Sequence, residues 1–393
     1  MALRIGIVVG ELSGDALAAN LIRTLKKHIP EVSFEGVLGP QLLSEGGHSF
    51  FAMDRLSVMG FFAPLKRLPE LIRMRRFLIN HFIQNPPDLF IGVDAPDFNL
   101  GIEKKLKVAG IPTIHYVSPS VWAWRKGRIK GIQQSVHLML TLLPFEAKFY
   151  EDHQVPVAFV GHPLADQIPL VTDTKKARAE LGISYVDLKN SQTKVITLMP
   201  GSRENEIKYL AEVILRTARL CYEKNPNILC LIPLVSENHR SELRQLQQEI
   251  APHVPIQFLL SQSHVAIAAS DVVLVTSGTA TLEVMLHKKP MVVVYRMHPL
   301  TYQIAKRLVK IPYIALPNLL ANELLVPEFI QDKATPEELC KAILATFGPF
   351  FETEKLVARF TELHQLLKQD SGEKCFNAIL QHIPALASFT SKV

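Results

Sequence analysis

Long apolar runs are missing from this 393-residue chain, although hydrophobic residues make up 48% of it. Its apolar stretches are short, such as RIGIVV, DLFIGV and PMVVVY, and none approaches the ~18 to 20 residues that a transmembrane helix needs. Arg4 interrupts the first apolar stretch, so no signal peptide is expected. The sequence therefore predicts a cytoplasmic protein without a membrane-spanning helix.

Cysteine is scarce as well, with four residues in the chain. Cys221, Cys230, Cys340 and Cys375 form no CxxC pair, and no histidine lies near them at zinc-ligand spacing. This pattern argues against a disulfide framework or a cysteine zinc site and predicts buried free thiols.

Acidic residues are outnumbered, because 37 Asp and Glu face 43 Lys and Arg and leave a net charge of +6. A basic balance favours an acidic partner, which could be nucleic acid, anionic lipid or a phosphorylated substrate. The positions of the charges have to decide among these three.

Apolar strands alternate with amphipathic helical stretches, which predicts an α/β protein with parallel sheets. Strands are expected near residues 3–9, 33–38, 88–94, 112–117, 136–142 and 156–160, and again near 195–199, 228–233, 256–260, 272–276 and 290–295. The polar, proline-containing stretch 162–194 between them predicts a linker with one short helix. We therefore expect two doubly wound domains, 1–165 and 166–349, with a ligand cleft at their strand ends and helices at 350–393.

The first loop at a predicted strand end is GELSGD, residues 10–15. It lacks the G-x-G-x-x-G spacing, so a dehydrogenase is poorly supported. Ser13 or Asp15 is expected to cap the following helix, and free N–H groups at Ser13 and Gly14 could also meet an anionic ligand.

The second loop is MPGSRENEI, residues 199–207. Gly201 permits a tight turn, the helix start after Ser202 offers N–H donors, and Arg203 adds a planar fork suited to phosphate oxygens. These features predict an anion site; the alternative is a capped helix with a solvated arginine.

The third loop is TSGTATLEVM, residues 276–285. The small residues Ser277, Gly278 and Thr279 allow a ligand to approach the backbone, and Glu283 could accept hydrogen bonds from ribose hydroxyls. An ordinary serine-capped helix is the alternative. Together the second and third loops predict a nucleoside diphosphate site in the second domain.

Two aspartates three positions apart, Asp94 and Asp97, follow a predicted strand in GVDAPDFNL. A metal site is disfavoured, because no third carboxylate or histidine lies at suitable spacing. Asp94 is expected to hold the loop through backbone hydrogen bonds. Asp97 could cap the next helix or act as a base.

Both tryptophans of the chain, Trp122 and Trp124, lie in VWAWRKGRIK together with basic residues that include Arg125 and Lys126. No motif of a nucleic-acid-binding protein accompanies this short cluster. It therefore favours recognition of a sugar or phosphate, with packing of the tryptophans against a helix as the alternative.

Apolar and basic positions interleave along residues 57–83. A helix of this kind can lie in a membrane interface, although a crossover helix that covers the sheet has the same periodicity. The candidate membrane patch consists of Phe61, Phe62, Leu65, Leu68, Leu71, Ile72, Arg73 and Arg76.

Ten segments between residue 10 and about residue 322 together resemble the lipid-A-disaccharide synthases, glycosyltransferase family 19. They are GELSGD, LSVMG, GVDAPDFNL, HYVSPSVWAWR, LPFE, VGHPLAD, MPGSRENEI, TSGTATLE, YRM and LPNLLA. The resemblance implies a GT-B fold that binds the acceptor mainly through the N-terminal domain and the nucleotide through the C-terminal domain. It implies condensation of UDP-2,3-diacylglucosamine with 2,3-diacylglucosamine 1-phosphate (lipid X), with inversion at C1 and without a metal or other cofactor.

The resemblance also implies residue roles. The catalytic base falls on Asp97 and the diphosphate ligand on Arg203, while Asn318 of LPN is implied to be important at the nucleotide site. Glu283 is assigned to the ribose by analogy with other GT-B enzymes. The acyl substrates favour the membrane interpretation of residues 57–83, so the positive charge is explained by anionic lipid and phosphate, without nucleic acid.

A peripheral inner-membrane enzyme is implied, with helices at 350–393 that exchange within a dimer. The rival hypotheses are another GT-B protein, such as a UDP-N-acetylglucosamine 2-epimerase or the peptidoglycan glycosyltransferase that acts on lipid I, and a non-catalytic lipid-binding scaffold.

Overall fold

The computed structural model describes residues 2–56, 63–122, 126–183, 193–309 and 311–390. The chain divides into two compact units. The first contains Met1–Asp166 and Leu367–Val393, and the second contains Gln167–Leu366.

A parallel seven-stranded sheet forms the centre of the first unit, in the order β3-β2-β1-β4-β5-β6-β7. The strands are β1 Leu3–Val9, β2 Val32–Val37, β3 His48–Ser49, β4 Leu89–Val93, β5 Thr113–Tyr116, β6 Leu138–Thr141 and β7 Val157–Phe159. Strands β4, β5 and β6 are buried along their whole length, as expected where helices cover both faces of a parallel sheet.

The helices of the first unit connect these strands. They are α1 Leu12–His28, α2 Pro40–Ser44, α3 Ala63–Gln84, α4 Pro96–Val108, α5 Ile129–Gln133, α6 Pro144–Glu151 and α7 Pro163–Gln167, together with α17 Ser371–His382 from the C-terminus. Single 3-10 turns lie at Met53–Arg55, Lys126–Arg128 and Pro384–Phe389.

The second unit has a parallel six-stranded sheet in the order β10-β9-β8-β11-β12-β13. Its strands are β8 Lys194–Met199, β9 Ile228–Leu234, β10 Ile256–Leu260, β11 Val272–Thr276, β12 Met291–Tyr295 and β13 Glu328–Ile330. Its helices are α8 Thr174–Glu180, α9 Glu204–Lys224, α10 Glu237–Ile250, α11 Ser263–Ala269, α12 Thr279–Leu286, α13 Pro299–Leu308, α14 Leu316–Ala321, α15 Pro336–Ala345 and α16 Thr353–Leu367, with a 3-10 turn at Gln331–Lys333.

The predicted fold class is confirmed, since both sheets are parallel and helices cross between their strands. All eleven expected strands are present, and β3 and β13 were not predicted. Both missed strands lie at the end of a sheet and have two and three residues, too few for an alternating pattern to be visible. The described part of the expected linker, residues 162–183 and 193–194, contains two short helices, α7 and α8, where one was predicted.

The C-terminal helices divide between the two units. Helix α16 remains with the second unit, where Arg359 pairs with Glu323 at 2.9 Å. Helix α17 packs on α1 of the first unit, where His28 Nε2 lies 2.8 Å from Glu373 Oε2. The chain therefore returns to the first unit at Leu367, later than the boundary at residue 350 expected from the sequence.

The buried cysteines confirm one prediction, because all four are free and buried.

The predicted cap of α1 is wrong. The helix begins after Glu11 without a side-chain cap, and Asp15 is completely buried with its carboxylate turned to another helix. That carboxylate accepts hydrogen bonds from the N–H groups of Gly39, Gln41 and Leu42 at the start of α2, at 2.7 to 3.2 Å.

No helix in the described ranges is both long enough and apolar enough to cross a membrane.

Candidate functional site

Strand order locates a candidate ligand site in the second unit. The order reverses between β8 and β11, and open parallel sheets bind ligands where loops after two such strands diverge. The loops in question carry Gly201, Ser202 and Arg203 after β8, and Ser277, Gly278 and Thr279 after β11. The structure therefore brings the second and third predicted loops together.

A cavity of about 300 Å³ lies at this point. Besides the six loop residues, Glu283 also lines it, as predicted from the sequence. The remaining lining residues are Met199, Glu206, Pro233, Leu234, Val235, Ser261, Ser263, Thr276 and Ala280. We call this cavity the β8–β11 pocket.

Glu206 occupies the turn that the sequence suggested for an anion. Its Oε2 accepts hydrogen bonds from the N–H groups of Ser202 and Arg203, at 3.1 and 3.3 Å. Its Oε1 lies 3.6 Å from Arg203 Nη1. Gly201 has φ +110° and faces the same carboxylate, so a Cβ there would lie 2.3 Å from Oε2. A carboxylate of the protein itself thus engages the two N–H groups and the guanidinium group that the sequence suggested for an anion.

The third loop is also bonded to its own unit. Ser277 Oγ donates to the carbonyl of Ile314 at 2.9 Å, so this hydroxyl fixes a neighbouring segment and does not cap α12. Thr276 places a buried hydroxyl without a hydrogen-bond partner among the described residues at the pocket wall. Such a hydroxyl can accept or donate to a ligand.

Titratable side chains surround Glu283 at the other end of the pocket. Burial raises the pKa of Glu283, and the nearby His264, 3.9 Å away, opposes that shift. His264 Nδ1 lies 3.4 Å from His287 Nε2, and burial lowers the pKa of His287 to about 3. His287 is therefore neutral near pH 7, and Glu283 is the only acid of this group.

Asn318 does not line the β8–β11 pocket. It is completely buried, and its Nδ2 donates to the carbonyl of Val326 and to Glu328 Oε1 at 2.8 and 2.9 Å. Its Oδ1 accepts from the N–H groups of Leu325 and Val326, both at 2.9 Å. Glu328 in turn accepts from the N–H groups of Ile314 and Ala315. The side chain predicted at the nucleotide site therefore holds together the segment that Ser277 contacts.

Strand order in the first unit reverses between β1 and β4, and the loops after these strands touch. A Cβ on Gly10 would lie 2.6 Å from Ala95 Cβ, and one on Gly14 would lie 3.4 Å from Val93 Cγ1. Ser13 is exposed in the first turn of α1. The structure therefore places Ser13 and Gly14 beside the aspartate loop of the first unit, and their predicted contact with the nucleotide stays a prediction.

The aspartate loop has an unusual backbone, because Asp94 and Ala95 have φ values of +52° and +41°. The N–H of Asp94 donates to Tyr116 O at 2.9 Å, in agreement with the expected role in holding the loop. Asn99 was not predicted, yet its buried Nδ2 donates to the carbonyls of Val93 and Asp94 at 3.3 and 2.8 Å. Non-glycine residues in this conformation persist only where their surroundings fix them, and Asn99 supplies that constraint.

Asp97 lies in the first turn of α4 with its side chain 78% exposed. Its Oδ1 accepts a hydrogen bond from Arg128 Nη2 at 2.6 Å. Helix α4 begins after Ala95 and has no side-chain cap, so Asp97 is not a cap. An exposed carboxylate with one oxygen fixed by a guanidinium group can accept a proton on the other oxygen.

A buried carboxylate–imidazole contact joins helix α4 to strand β5 beneath this loop. Glu103 Oε1 and His115 Nδ1 are 2.7 Å apart, and both side chains are completely buried. Burial raises the pKa of Glu103, and the charge of His115 opposes the shift. Gly92 leaves room for this carboxylate, since a Cβ there would lie 2.0 Å from Glu103 Oε1.

Trp122 is half-buried and packs inside the first unit. Its indole N–H donates to Glu146 Oε1 at 3.2 Å, and its ring meets Phe145 edge-on at a centroid distance of 4.8 Å. Burial raises the pKa of Glu146 to about 8. These contacts agree with the packing alternative for Trp122. Trp124 and Arg125 lie outside the described residues, as does the side chain of Lys126.

Helix α3 has one buried face and one exposed face. Met74, Leu78 and Phe82 are buried, at the spacing of one helix face. Of the predicted membrane patch, Leu68 and Ile72 are 50% and 36% exposed. Leu71 is half-buried, while Arg73 and Arg76 are exposed; Phe61, Phe62 and the side chain of Leu65 lie outside the described residues. Phe77, which was not in the predicted patch, is 45% exposed.

The sequence contained signals for two of the missed residues. A glutamate three positions after a helix N-cap is typical of a capping box, and Glu206 stands in that relation to Arg203. Arg128 belongs to the basic run that was noticed, but its pairing with Asp97 crosses 31 positions. The roles of Asn99 and Glu328 depend on tertiary contacts, and no local pattern reports them.

Comparison with known families gives one full-length match. The family model described as lipid-A-disaccharide synthetase matches residues 5–378. A lipid-A-disaccharide synthase of Cellvibrio japonicus is 50% identical over 389 residues, which cover 98% of this chain and 99% of that protein. One from Pseudomonas aeruginosa is 49% identical over 380 residues, or 96% of this chain and 98% of its own length.

Solved structures with low sequence identity share the fold. The UDP-GlcNAc 2-epimerase of Neisseria meningitidis, bound to UDP-GlcNAc, superposes with a TM-score of 0.62 at 12% identity and covers 97% of this chain and 100% of its own. An Anabaena protein in complex with UDP and glucose gives 0.55 at 14% identity, with 99% and 100% covered. These similarities show the fold, which is the predicted GT-B fold.

Proposed function

The chain belongs to the lipid-A-disaccharide synthase family of glycosyltransferases, and we propose that it joins UDP-2,3-diacylglucosamine to lipid X. The products are the β-1,6-linked tetraacyl disaccharide 1-phosphate of lipid A biosynthesis and UDP. The observation that supports this most strongly is the 50% identity with a named synthase over 98% of the chain. The 12% identity with an epimerase carries no argument about chemistry.

The second unit binds the donor in this proposal. Arg203 meets the diphosphate, the small residues Ser277, Gly278 and Thr279 let its oxygens approach the backbone, and Glu283 accepts from the ribose. Support comes from the position of all these residues around one cavity at the reversal of strand order. Asn318 acts at a distance, because its hydrogen bonds hold the segment next to the loop after β11.

Asp97 is the general base of the proposed reaction. The carboxylate takes the proton of the acceptor 6-hydroxyl as that oxygen attacks C1 of the donor. The bond between C1 and the diphosphate oxygen breaks, and UDP leaves with the electron pair. Attack opposite the leaving group inverts C1 from α to β. Arg203 stabilises the charge that develops on the diphosphate.

The acceptor is proposed to bind the first unit, beside the loop that carries Asp97. Trp124, Arg125 and Lys126 remain the candidates for contact with it. Trp122 contributes by packing, since its indole N–H is bonded to Glu146. No nucleic acid and no cofactor form part of the proposal.

We also propose that the protein binds the cytoplasmic face of the inner membrane as a peripheral protein. Helix α3 supports this, because its exposed face presents Leu68, Ile72 and Phe77 beside Arg73 and Arg76. Apolar side chains next to arginines are typical of helices at an anionic lipid interface. Both proposed substrates are acylated and would be reached from that surface.

A homodimer that exchanges its C-terminal helices is a further part of the proposal. In such a dimer, α17 of one chain would pack on α1 of the other chain. The contact between His28 and Glu373 would then join the two chains. Light scattering after size-exclusion chromatography measures the mass; a monomer of 44.1 kDa at micromolar concentration would contradict the dimer.

UDP release tests the proposed reaction. We expect UDP to appear when the purified protein receives both UDP-2,3-diacylglucosamine and lipid X, and not when it receives either alone. Conversion of a UDP-sugar without acceptor would identify an epimerase. Binding of both lipids without UDP release would identify a non-catalytic scaffold and overturn the proposal.

A further inference from the structure

Arg128 stands out because the predicted roles leave it unused, although it makes the shortest contact of the proposed base. Its Nη2 lies 2.6 Å from Asp97 Oδ1, and its side chain is 29% exposed. A second guanidinium group contacts the main chain of the same residue, since Arg75 Nη1 is 3.5 Å from the Asp97 carbonyl oxygen. Two arginines therefore contact Asp97, Arg128 at the carboxylate and Arg75 at the main-chain carbonyl.

Proton transfer alone does not require this local excess of positive charge beside Asp97. A base that removes a proton from a hydroxyl needs one free carboxylate oxygen and a fixed orientation. One guanidinium N–H bonded to Oδ1 supplies the orientation, and Oδ2 remains for the hydroxyl. A guanidinium group has five N–H donors in a planar fork, which suits carboxylate and phosphate oxygens alike.

The chemistry of the acceptor explains the excess. This step rests on the proposed function, in which the acceptor carries a reacting 6-hydroxyl and a 1-phosphate. In a pyranose, C1 and C5 are both bonded to the ring oxygen, and C5 bears the hydroxymethyl group. The phosphate and the reacting hydroxyl are therefore neighbours on the same edge of the sugar. A protein group that binds the phosphate must lie beside the base that meets the hydroxyl.

We propose that Arg128 binds the 1-phosphate of the acceptor while it holds Asp97 Oδ1, so that one side chain places the hydroxyl against Asp97 Oδ2. Arg128 is then a positioning and specificity residue for the acceptor. Arg75, which contacts the main-chain carbonyl of Asp97, adds positive charge near the same residue. The ligand chemistry recognised is a sugar phosphate monoester.

The test compares two acceptors that differ only in the phosphate, 2,3-diacylglucosamine 1-phosphate and 2,3-diacylglucosamine, presented in the same detergent. The wild-type protein should use the phosphorylated acceptor with kcat/KM higher by 10- to 100-fold, on the order of one charge-assisted hydrogen bond. In Arg128→Gln this ratio should fall to within about 3-fold of unity. Arg128→Lys, which keeps the charge without the fork, should retain part of the ratio.

Lys104→Gln is the matched control, because it removes one exposed positive charge from the same helix as Asp97 at a residue bonded to Gln134. It should leave the ratio unchanged. The unfolding temperature of each variant checks the fold, and if Arg128→Gln does not fold, the raised KM of Arg128→Lys for the phosphorylated acceptor carries the test.

Two results would overturn the inference. One is a wild-type protein that uses both acceptors equally. The other is an Arg128→Gln variant that keeps the full ratio, and an equal loss of kcat for both acceptors in that variant would reduce Arg128 to a support for Asp97. A wild-type protein that releases UDP with neither acceptor would instead refute the proposed function.

Discussion

Replacing Glu206 by glutamine is expected to strengthen the binding of UDP. Glu206 Oε2 holds the N–H groups of Ser202 and Arg203, and Oε1 lies 3.6 Å from the Arg203 guanidinium. A diphosphate that approaches Arg203 therefore meets a carboxylate already in place. Glutamine keeps an acceptor oxygen for the two N–H groups and removes the negative charge.

The size of the effect follows from the distance and the exposure. Two like charges about 5 Å apart repel by about 3 kcal/mol at an effective dielectric constant of 20. The Arg203 side chain is 55% exposed, so salt and solvent reduce the repulsion between Glu206 and the diphosphate to about 1 kcal/mol. We therefore expect the Kd for UDP to fall about 5-fold in Glu206→Gln.

Isothermal titration calorimetry with UDP measures this change. Glu204→Gln is the control, because it removes the same charge from the start of the same helix at a residue that does not line the β8–β11 pocket. It should change the Kd by less than about 2-fold. Weaker binding in Glu206→Gln than in the wild type would refute the reasoning and show that the ionised carboxylate organises the turn for its ligand.

Three further predictions concern the first unit. The folded protein keeps a proton on Glu146 up to about pH 8. Its unfolding free energy should therefore fall by up to about 4 kcal/mol between pH 5 and 8. Glu146→Gln should lack this contribution to the pH dependence of the unfolding free energy. Gly92→Ala should destabilise by about 3 kcal/mol, because the new Cβ would meet Glu103 Oε1 at 2.0 Å. Replacing Leu68 and Ile72 by serine should lower binding to anionic vesicles by at least about 10-fold.

The measurements differ for the three changes. Denaturant unfolding at pH 5 and pH 8 checks Glu146, and equal slopes in wild type and variant would contradict the shift. Gly131→Ala is the control for Gly92, since a Cβ there meets nothing within 4 Å. Flotation with anionic vesicles measures the effect of the Leu68 and Ile72 substitutions. Leu324→Ser is the control, because Leu324 is 65% exposed in the second unit. Unchanged flotation of the double variant would contradict the membrane proposal.

Most of the architecture was predictable, because buried parallel strands are continuous apolar runs that a sequence shows directly. The strand ends then indicated the loops after β8 and β11, which the structure brings to one pocket. The short strands β3 and β13 were missed, since two or three residues carry no readable pattern.

Side-chain partners were less predictable, because they depend on tertiary contacts between distant positions. Asp15 was expected to cap its own helix, yet it binds the N–H groups of α2 across 24 positions. Asn318 was expected at the nucleotide site, but its side-chain amide donates hydrogen bonds to the carbonyl of Val326 and to Glu328 Oε1. The spacing of residues in the sequence indicates where a polar residue lies on its helix or strand. It does not indicate which distant group that residue contacts in the folded protein.

The most direct test of the account is turnover by Asp97→Asn with both lipid substrates. The carboxylate is 78% exposed and accepts a hydrogen bond from Arg128. We therefore expect the variant to unfold at the wild-type temperature, to bind UDP with unchanged affinity, and to release UDP at least ~100-fold more slowly, the scale of a lost general base. Near-normal turnover in a folded Asp97→Asn protein would contradict the central claim that Asp97 accepts the proton.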